Sequence, residues 1–198
     1  MNEKEKMING YLYYPDKDEV LFNDRLKVKD LCFKYNNLLP SRTDERKELL
    51  KEIIGKTSDK YWIEQPFRCD YGYNTEIGYN FYANHNLIIL DCAKVTFGDN
   101  VFIAPNCSFY TACHPLDVEK RNEGLEYALP ITVGNNVWIG GGVTVLAGVT
   151  IGDNSVIGAG SVVTKDIPAN VVAVGNPCKV IKKITKDTKD KYKVLQYV

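Results

Sequence analysis

The 198-residue sequence predicts a mainly β protein: a solenoid of short strands behind a small α-helical N-terminal region. Three observations predict it. An aliphatic residue recurs every six positions from Val133 to Val163, and glycine directly follows four of those six. Helical spacing of apolar residues is confined to about residues 1–60.

Within residues 1–60, Val28, Leu31, Cys32, Tyr35 and Leu38 form one apolar stripe among lysines and aspartates, which predicts a helix ended by Pro40. Ser41 and Thr43 offer capping oxygens for a second helix, whose Leu49, Leu50, Ile53 and Ile54 run up to Gly55. Helices this short need a surface to pack on.

Residues 61–178 follow a different rule. Val133, Ile139, Val145, Ile151, Ile157 and Val163 stand six apart, and the same frame runs earlier through Phe97, Ile103 and Phe109. Four places beyond each of the six lie Val137, Val143, Val149, Ser155, Ser161 and Ile167, all small or β-branched. The phrase aliphatic-or-Phe, Gly, Asp or Asn, Asn recurs at Phe97–Asn100, Val133–Asn136 and Ile151–Asn154, and Ile77-Gly78 begins the series. A period of six drifts out of phase with a helix but preserves the two-residue alternation of a strand. Three hexapeptides then close one triangular coil, with turns at Gly and Asn, which tolerate positive φ. Val133 and Ile151 are expected to stack about 4.8 Å apart. A β-sandwich with regular strands is the competing fold, and six consecutive in-frame matches count against it.

The frame is broken once. After Phe109 the in-frame positions are Pro115, Arg121 and Tyr127, and the period resumes in phase at Val133. Residues about 115–130 are therefore expected to leave the coil as a long loop, and such a loop in a compact domain usually carries function. His114 stands at its root, and the loop holds Asp117, Glu119, Glu123 and Glu126. Histidine is the side chain suited to take a proton near neutral pH, and a carboxylate from the loop could fold back to fix its tautomer.

Composition excludes several classes. Lys plus Arg and Asp plus Glu each number 25, so the formal net charge is zero, which argues against a general nucleic-acid binder or a membrane-surface protein. The halves of that balance are uneven. Residues 66–178 hold 5 basic and 10 acidic side chains, and the tail 179–198 holds 7 and 2. His85 and His114 are the only histidines, too few for a three-histidine metal site in one chain, so no metal is expected. Six cysteines without a C-x-x-C pair read as apolar fillers. A charged N-terminus without a signal-like apolar stretch, and no apolar run above four residues, lead to a cytoplasmic expectation with no membrane span.

The hexapeptide series resembles the hexapeptide-repeat acyltransferases. So do Asn135-Asn136-Val137-Trp138-Ile139-Gly140, the run from Ile157 to Pro168, and Gly175-Asn176-Pro177-Cys178-Lys179-Val180-Ile181. Phe67 to Asn74 and Phe81-Tyr82-Ala83-Asn84 are similar to the maltose and galactoside O-acetyltransferase subgroup, as is the helical N-terminal region. The resemblance covers nearly the whole chain. It implies a left-handed parallel β-helix (1–60 helical region, 61–178 coil, 179–198 basic tail) and a homotrimer. It also implies acetyl transfer from acetyl-CoA to a sugar hydroxyl by direct attack.

Residue by residue, the resemblance makes His114 the general base, Glu126 the loop acid that supports it, and the Gly141 N–H an oxyanion donor. Asp16, Asp70 and Asn84 match acceptor-binding positions. Trp138, Gly141, Ala159, Thr164, Lys165, Lys179 and Lys182 match the coenzyme A groove, where the lysines would meet phosphates. The galactoside enzyme has serine where this chain has Asp70, which leans toward maltose or glucose. Two alternatives stay open: a non-sugar acceptor such as an antibiotic or serine, and a non-catalytic trimeric scaffold. A zinc carbonic anhydrase of this fold is disfavoured by the two histidines.

Overall fold

The computed structural model describes residues 1–188 and consists of a three-sided parallel β-helix with a helical cap at its N-terminal end. Strands visit the three faces in rotation, with the third face of the last coil reduced to a single bridge from Ile167 to Ile151. The first face stacks Tyr61–Ile63, Phe81–Ala83, Phe102–Ile103, Trp138–Ile139, Val156–Ile157 and Val171–Val174. The second stacks Phe67–Cys69, Leu87–Leu90, Ser108–Tyr110, Thr144–Val145 and Val162–Val163, and the third Thr75–Ile77, Val95–Phe97, Ile131–Val133 and Thr150–Ile151. Val133 pairs with Ile151 in parallel register, as the eighteen-residue spacing requires. Every hexad aliphatic from Val133 to Val163 points inward and is buried. Burying each such side chain contributes about 1.5–3 kcal/mol. In the early coils Phe97 fills the axis between Phe81 and Phe109, with ring centroids 5.1 and 5.0 Å away.

The Gly-Asx-Asn phrase has a structural cause. Asn80, Asn100, Asn136, Asn154 and Asn170 each adopt positive φ at the corner between the third and first faces. Their amides form a ladder, each donating to the next at 2.9–3.0 Å. The preceding Asp or Asn accepts an N–H from the adjoining coil, as Asp153 does from Asn135 at 2.7 Å. Glycine precedes it because coils touch there: a β-carbon at Gly134 would lie 2.9 Å from the Asp153 backbone nitrogen.

The coil starts earlier than the six-residue frame shows. Tyr61 pairs with Phe81, Phe67 with Leu87 and Thr75 with Val95, so the first coils take twenty residues, not eighteen. The extra pair sits at the corner between the second and third faces, at Asp70–Asn74 and again at Asp91–Lys94. The same corner of the third coil emits the long excursion. That excursion is more ordered than a plain loop: Ala112–Cys113 pairs antiparallel with Tyr127–Ala128, and helix Val118–Asn122 forms its tip, capped by Asp117.

The cap has three helices. The first, α1 (Glu3–Ile8), was not expected; Asn2 and Glu5 close a reciprocal capping box. The second, α2 (Glu19–Asn37), starts well before the predicted stripe because Asp18 caps it, and Leu38 ends it only half-buried. The third, α3 (Thr43–Ile53), has Arg42 at its N-cap with no side-chain hydrogen bond, so the Ser41 and Thr43 oxygens do not serve as expected. Asn36 fastens α2 to the coil by exchanging two hydrogen bonds with the Phe67 backbone, at 2.8 and 2.9 Å.

A small second core joins three distant pieces. Met7, Tyr13 and Leu21 from the cap pack with Tyr71, Cys92 and Ala93 from the corner insertions and Ala128 from the excursion. At the other end, Lys179–Lys183 folds back antiparallel on Val171–Val174, so the start of the basic tail is a strand of the first face. Lys189, Lys191 and Lys193 of that tail lie outside the described residues. No helix among the described residues is long and apolar enough to cross a membrane.

Candidate active site

The corner that carries the insertions opens onto a cleft of about 490 Å³ between α2, the coil and the excursion. Its walls bring together His114, Glu126, Asp70 and Asp16, four of the residues expected from sequence. They also bring in Arg25, Lys29 and Cys92, which the sequence reading missed. No local motif marks these three; they reach the cleft because α2 crosses the corner and the second coil inserts Cys92 there.

His114 is about half exposed, with Nδ1 3.2 Å from the Leu125 carbonyl oxygen. A carbonyl can only accept, so Nδ1 carries a proton, and in the neutral ring it is Nε2 that presents the lone pair. Fixing the tautomer was expected of a loop carboxylate; a backbone carbonyl of the loop makes that contact. Glu126 instead faces Nε2, its Oε1 3.8 Å away, while its Oε2 accepts from the Tyr13 hydroxyl at 2.8 Å. The carboxylate is thus held on the reactive side of the ring without bonding to it.

Asp70 lies deeper in the same cleft. Burial, with the nearby Asp91 charge, pushes its carboxyl above the usual range, against the pull of Arg25 and Lys29. Cys92 approaches it, Sγ to Oδ2 3.8 Å, and burial raises that thiol so that it stays protonated. Asp16 is exposed and is aimed by Arg25, which donates to it at 2.7 Å while its other arm donates to the Tyr71 hydroxyl at 2.8 Å. A second cavity, of about 610 Å³, shares Lys29, Asp70 and Leu90 with the cleft and runs between α2 and the second face.

Asn84 is not in this cleft. It follows Phe81–Ala83 at the corner between the first and second faces, where its Oδ1 accepts from the His85 N–H. His85 bonds the Gln65 carbonyl and lies away from His114. Gly141 and Ala159 stack along the same corner as Asn84. The Gly141 carbonyl accepts from the Gly160 N–H, and the Gly141 N–H has no acceptor among the described residues. Trp138 stands exposed beside them on the first face, and Lys179 and Lys182 continue that side on the final strand. Thr164 and Lys165, by contrast, follow Val162–Val163 at the corner that bears Asp70 and His114. One chain therefore separates the sequence-matched groove residues onto two corners.

A family model described as the maltose acetyltransferase hexapeptide capping motif matches residues 6–58, and one for the bacterial transferase hexapeptide, six repeats, matches 130–165. A Saccharomyces cerevisiae protein provisionally named an acetyltransferase is 56% identical over 186 residues, covering 94% of this chain and 95% of its own. The crystal structure of a maltose O-acetyltransferase from Clostridium difficile 630 superposes with a TM-score of 0.92 at 53% identity, covering 94% of this chain and 99% of that one. A galactoside acetyltransferase in complex with coenzyme A superposes with a TM-score of 0.93 at 48% identity, covering 99% and 100%.

Proposed function

The chain belongs to the hexapeptide-repeat acetyltransferases, and from that premise we propose that it moves the acetyl group of acetyl-CoA to a hydroxyl of a sugar of the maltose, glucose or galactoside type. The observation that carries the reading is His114. Its Nδ1 proton is committed to Leu125, and its Nε2 lone pair opens into a cleft that also holds Asp16, Asp70 and Glu126.

The chemistry follows from those atoms. A sugar hydroxyl is too weak an acid to react unaided. Nε2 takes its proton as the oxygen attacks the thioester carbonyl, assistance worth about 10²–10⁴-fold. Glu126, 3.8 Å from Nε2, steadies the imidazolium that results. Asp70 and Asp16 accept hydrogen bonds from other hydroxyls of the acceptor. The tetrahedral oxyanion requires a donor, and the Gly141 N–H, which has no acceptor among the described residues, suits it. On collapse, the thiolate of coenzyme A leaves and recovers the proton from His114.

Gly141, Ala159 and Asn84 sit on a different corner from His114, so a complete site needs two chains. A homotrimer that sets one corner against its neighbour's other corner meets that need. Thr164 and Lys165 of one subunit would then share the coenzyme with Trp138, Gly141, Ala159, Lys179 and Lys182 of the next.

The test is CoA release over a panel of mono- and disaccharides, serine and chloramphenicol, with His114→Ala alongside. Turnover of sugars, abolished in a variant that still assembles, supports the reading. Silence across sugars with turnover of another acceptor overturns the substrate class, and full activity in His114→Ala overturns the base.

A further inference from the structure

The excursion that carries Glu126 is tied to the cap from outside the coil, and Tyr13 makes the bonds to Glu126 itself. Tyr13 and Glu126 exchange both backbone hydrogen bonds, at 2.9 and 3.0 Å, and the Tyr13 hydroxyl donates to Glu126 Oε2 at 2.8 Å. These residues are 113 apart in sequence, yet three hydrogen bonds join them. Tyr13 is fully buried in the small core with Met7, Leu21, Tyr71 and Ala128. A carboxylate has two oxygens, and fixing one against a buried donor determines where the other points. Here the other, Oε1, points at His114 Nε2 from 3.8 Å.

We propose that Tyr13 is a positioning residue for acyl transfer, orienting Glu126 so that its free oxygen faces the base. The inference rests on the assignment of His114 as general base. It also gives the helical cap a role in the reaction. Burial, together with Cys92 and Glu126, pushes the phenol far above its ordinary range, so it remains a donor at any working pH. The neighbouring Tyr14 supplies an internal contrast. Its hydroxyl donates to Glu123 of the same excursion at 3.0 Å, on an exposed carboxylate outside the cleft.

The experiment measures CoA release with whichever acceptor of the panel is turned over, and with water in its place. Failure of the sugar reading is thereby separated from failure of this one. Tyr13→Phe keeps the buried ring and both backbone bonds and removes only the donor. It is expected to lower kcat by about tenfold with KM for acetyl-CoA unchanged, the scale of a lost hydrogen bond to a charged group. Glu126→Asp, which withdraws the carboxylate without touching the buried ring, is expected to match that loss. Combining Tyr13→Phe with Glu126→Gln should cost no more than Glu126→Gln alone. Tyr14→Phe should leave kcat unchanged. Full kcat in Tyr13→Phe, independent multiplication of the two losses, or an equal loss in Tyr14→Phe would overturn the proposal.

Discussion

His114 Nδ1 meets the Leu125 carbonyl at 3.2 Å, so the two ends of the excursion close on each other through the imidazole. The backbone that brings Glu126 into the cleft also fixes the tautomer of the base. Asparagine at 114 carries an amide N–H near the position of Nδ1 and nothing at Nε2. His114→Asn is therefore expected to keep the excursion in place while kcat falls by about 10²–10⁴-fold. Circular dichroism and CoA release on one preparation check both halves.

Asn84 and His114 lie on different corners of the coil, which gives a complementation test. His114→Ala and Asn84→Ala should each be inactive. Coexpressed, they should regain activity, because about one neighbouring pair in four combines an intact His114 with an intact Asn84 under random mixing. Mixed oligomers as inactive as the parents would place both residues in a single-chain site.

Asp70 should trade stability for binding. Burial raises its folded pKa above the ordinary carboxylate value, so at neutral pH the fold holds a carboxylate more costly than in the unfolded chain. The sign follows: this penalty is largest above the folded pKa and is relieved as pH falls through it toward the unfolded value. Asp70→Asn is expected to melt a few degrees higher than the parent at pH 7, with the difference shrinking on acidification. KM for the acceptor should rise. Melting curves between pH 4 and 8 check it, and a variant less stable at pH 7 would contradict the electrostatic account.

The asparagine ladder gives a prediction for the coil. Asn136 has φ of 57° and makes two ladder bonds. Asn136→Ala loses both and forces alanine into the left-handed region, together about 2–4 kcal/mol. Asn136→Gly loses the bonds but not the conformation and should cost clearly less. Urea unfolding of the two variants decides it.

The sequence by itself determined the solenoid. From Val133 to Val163 each hexapeptide packs only on its neighbours, so a local repeat carries the register, the buried positions and the corner asparagines, including the pairing of Val133 with Ile151. It also exposed the break at His114, because an interruption is visible only against a regular pattern. The coils from Tyr61 to Lys94 were expected within the solenoid, but their phase was not legible, since two extra residues at one corner destroy the six-residue frame while leaving the strands paired.

Only the tertiary structure decided the cleft. There Arg25 and Cys92 join the expected Asp16, Asp70 and His114; the five come from the cap, two successive coils and the excursion, and no spacing rule links them. The same holds for Tyr13 and Glu126: a hydrogen bond across 113 residues leaves no periodic trace in the chain. The physical reason is common to both. A repeat is written by contacts between adjacent units, whereas a site is written by contacts made after every unit has found its place.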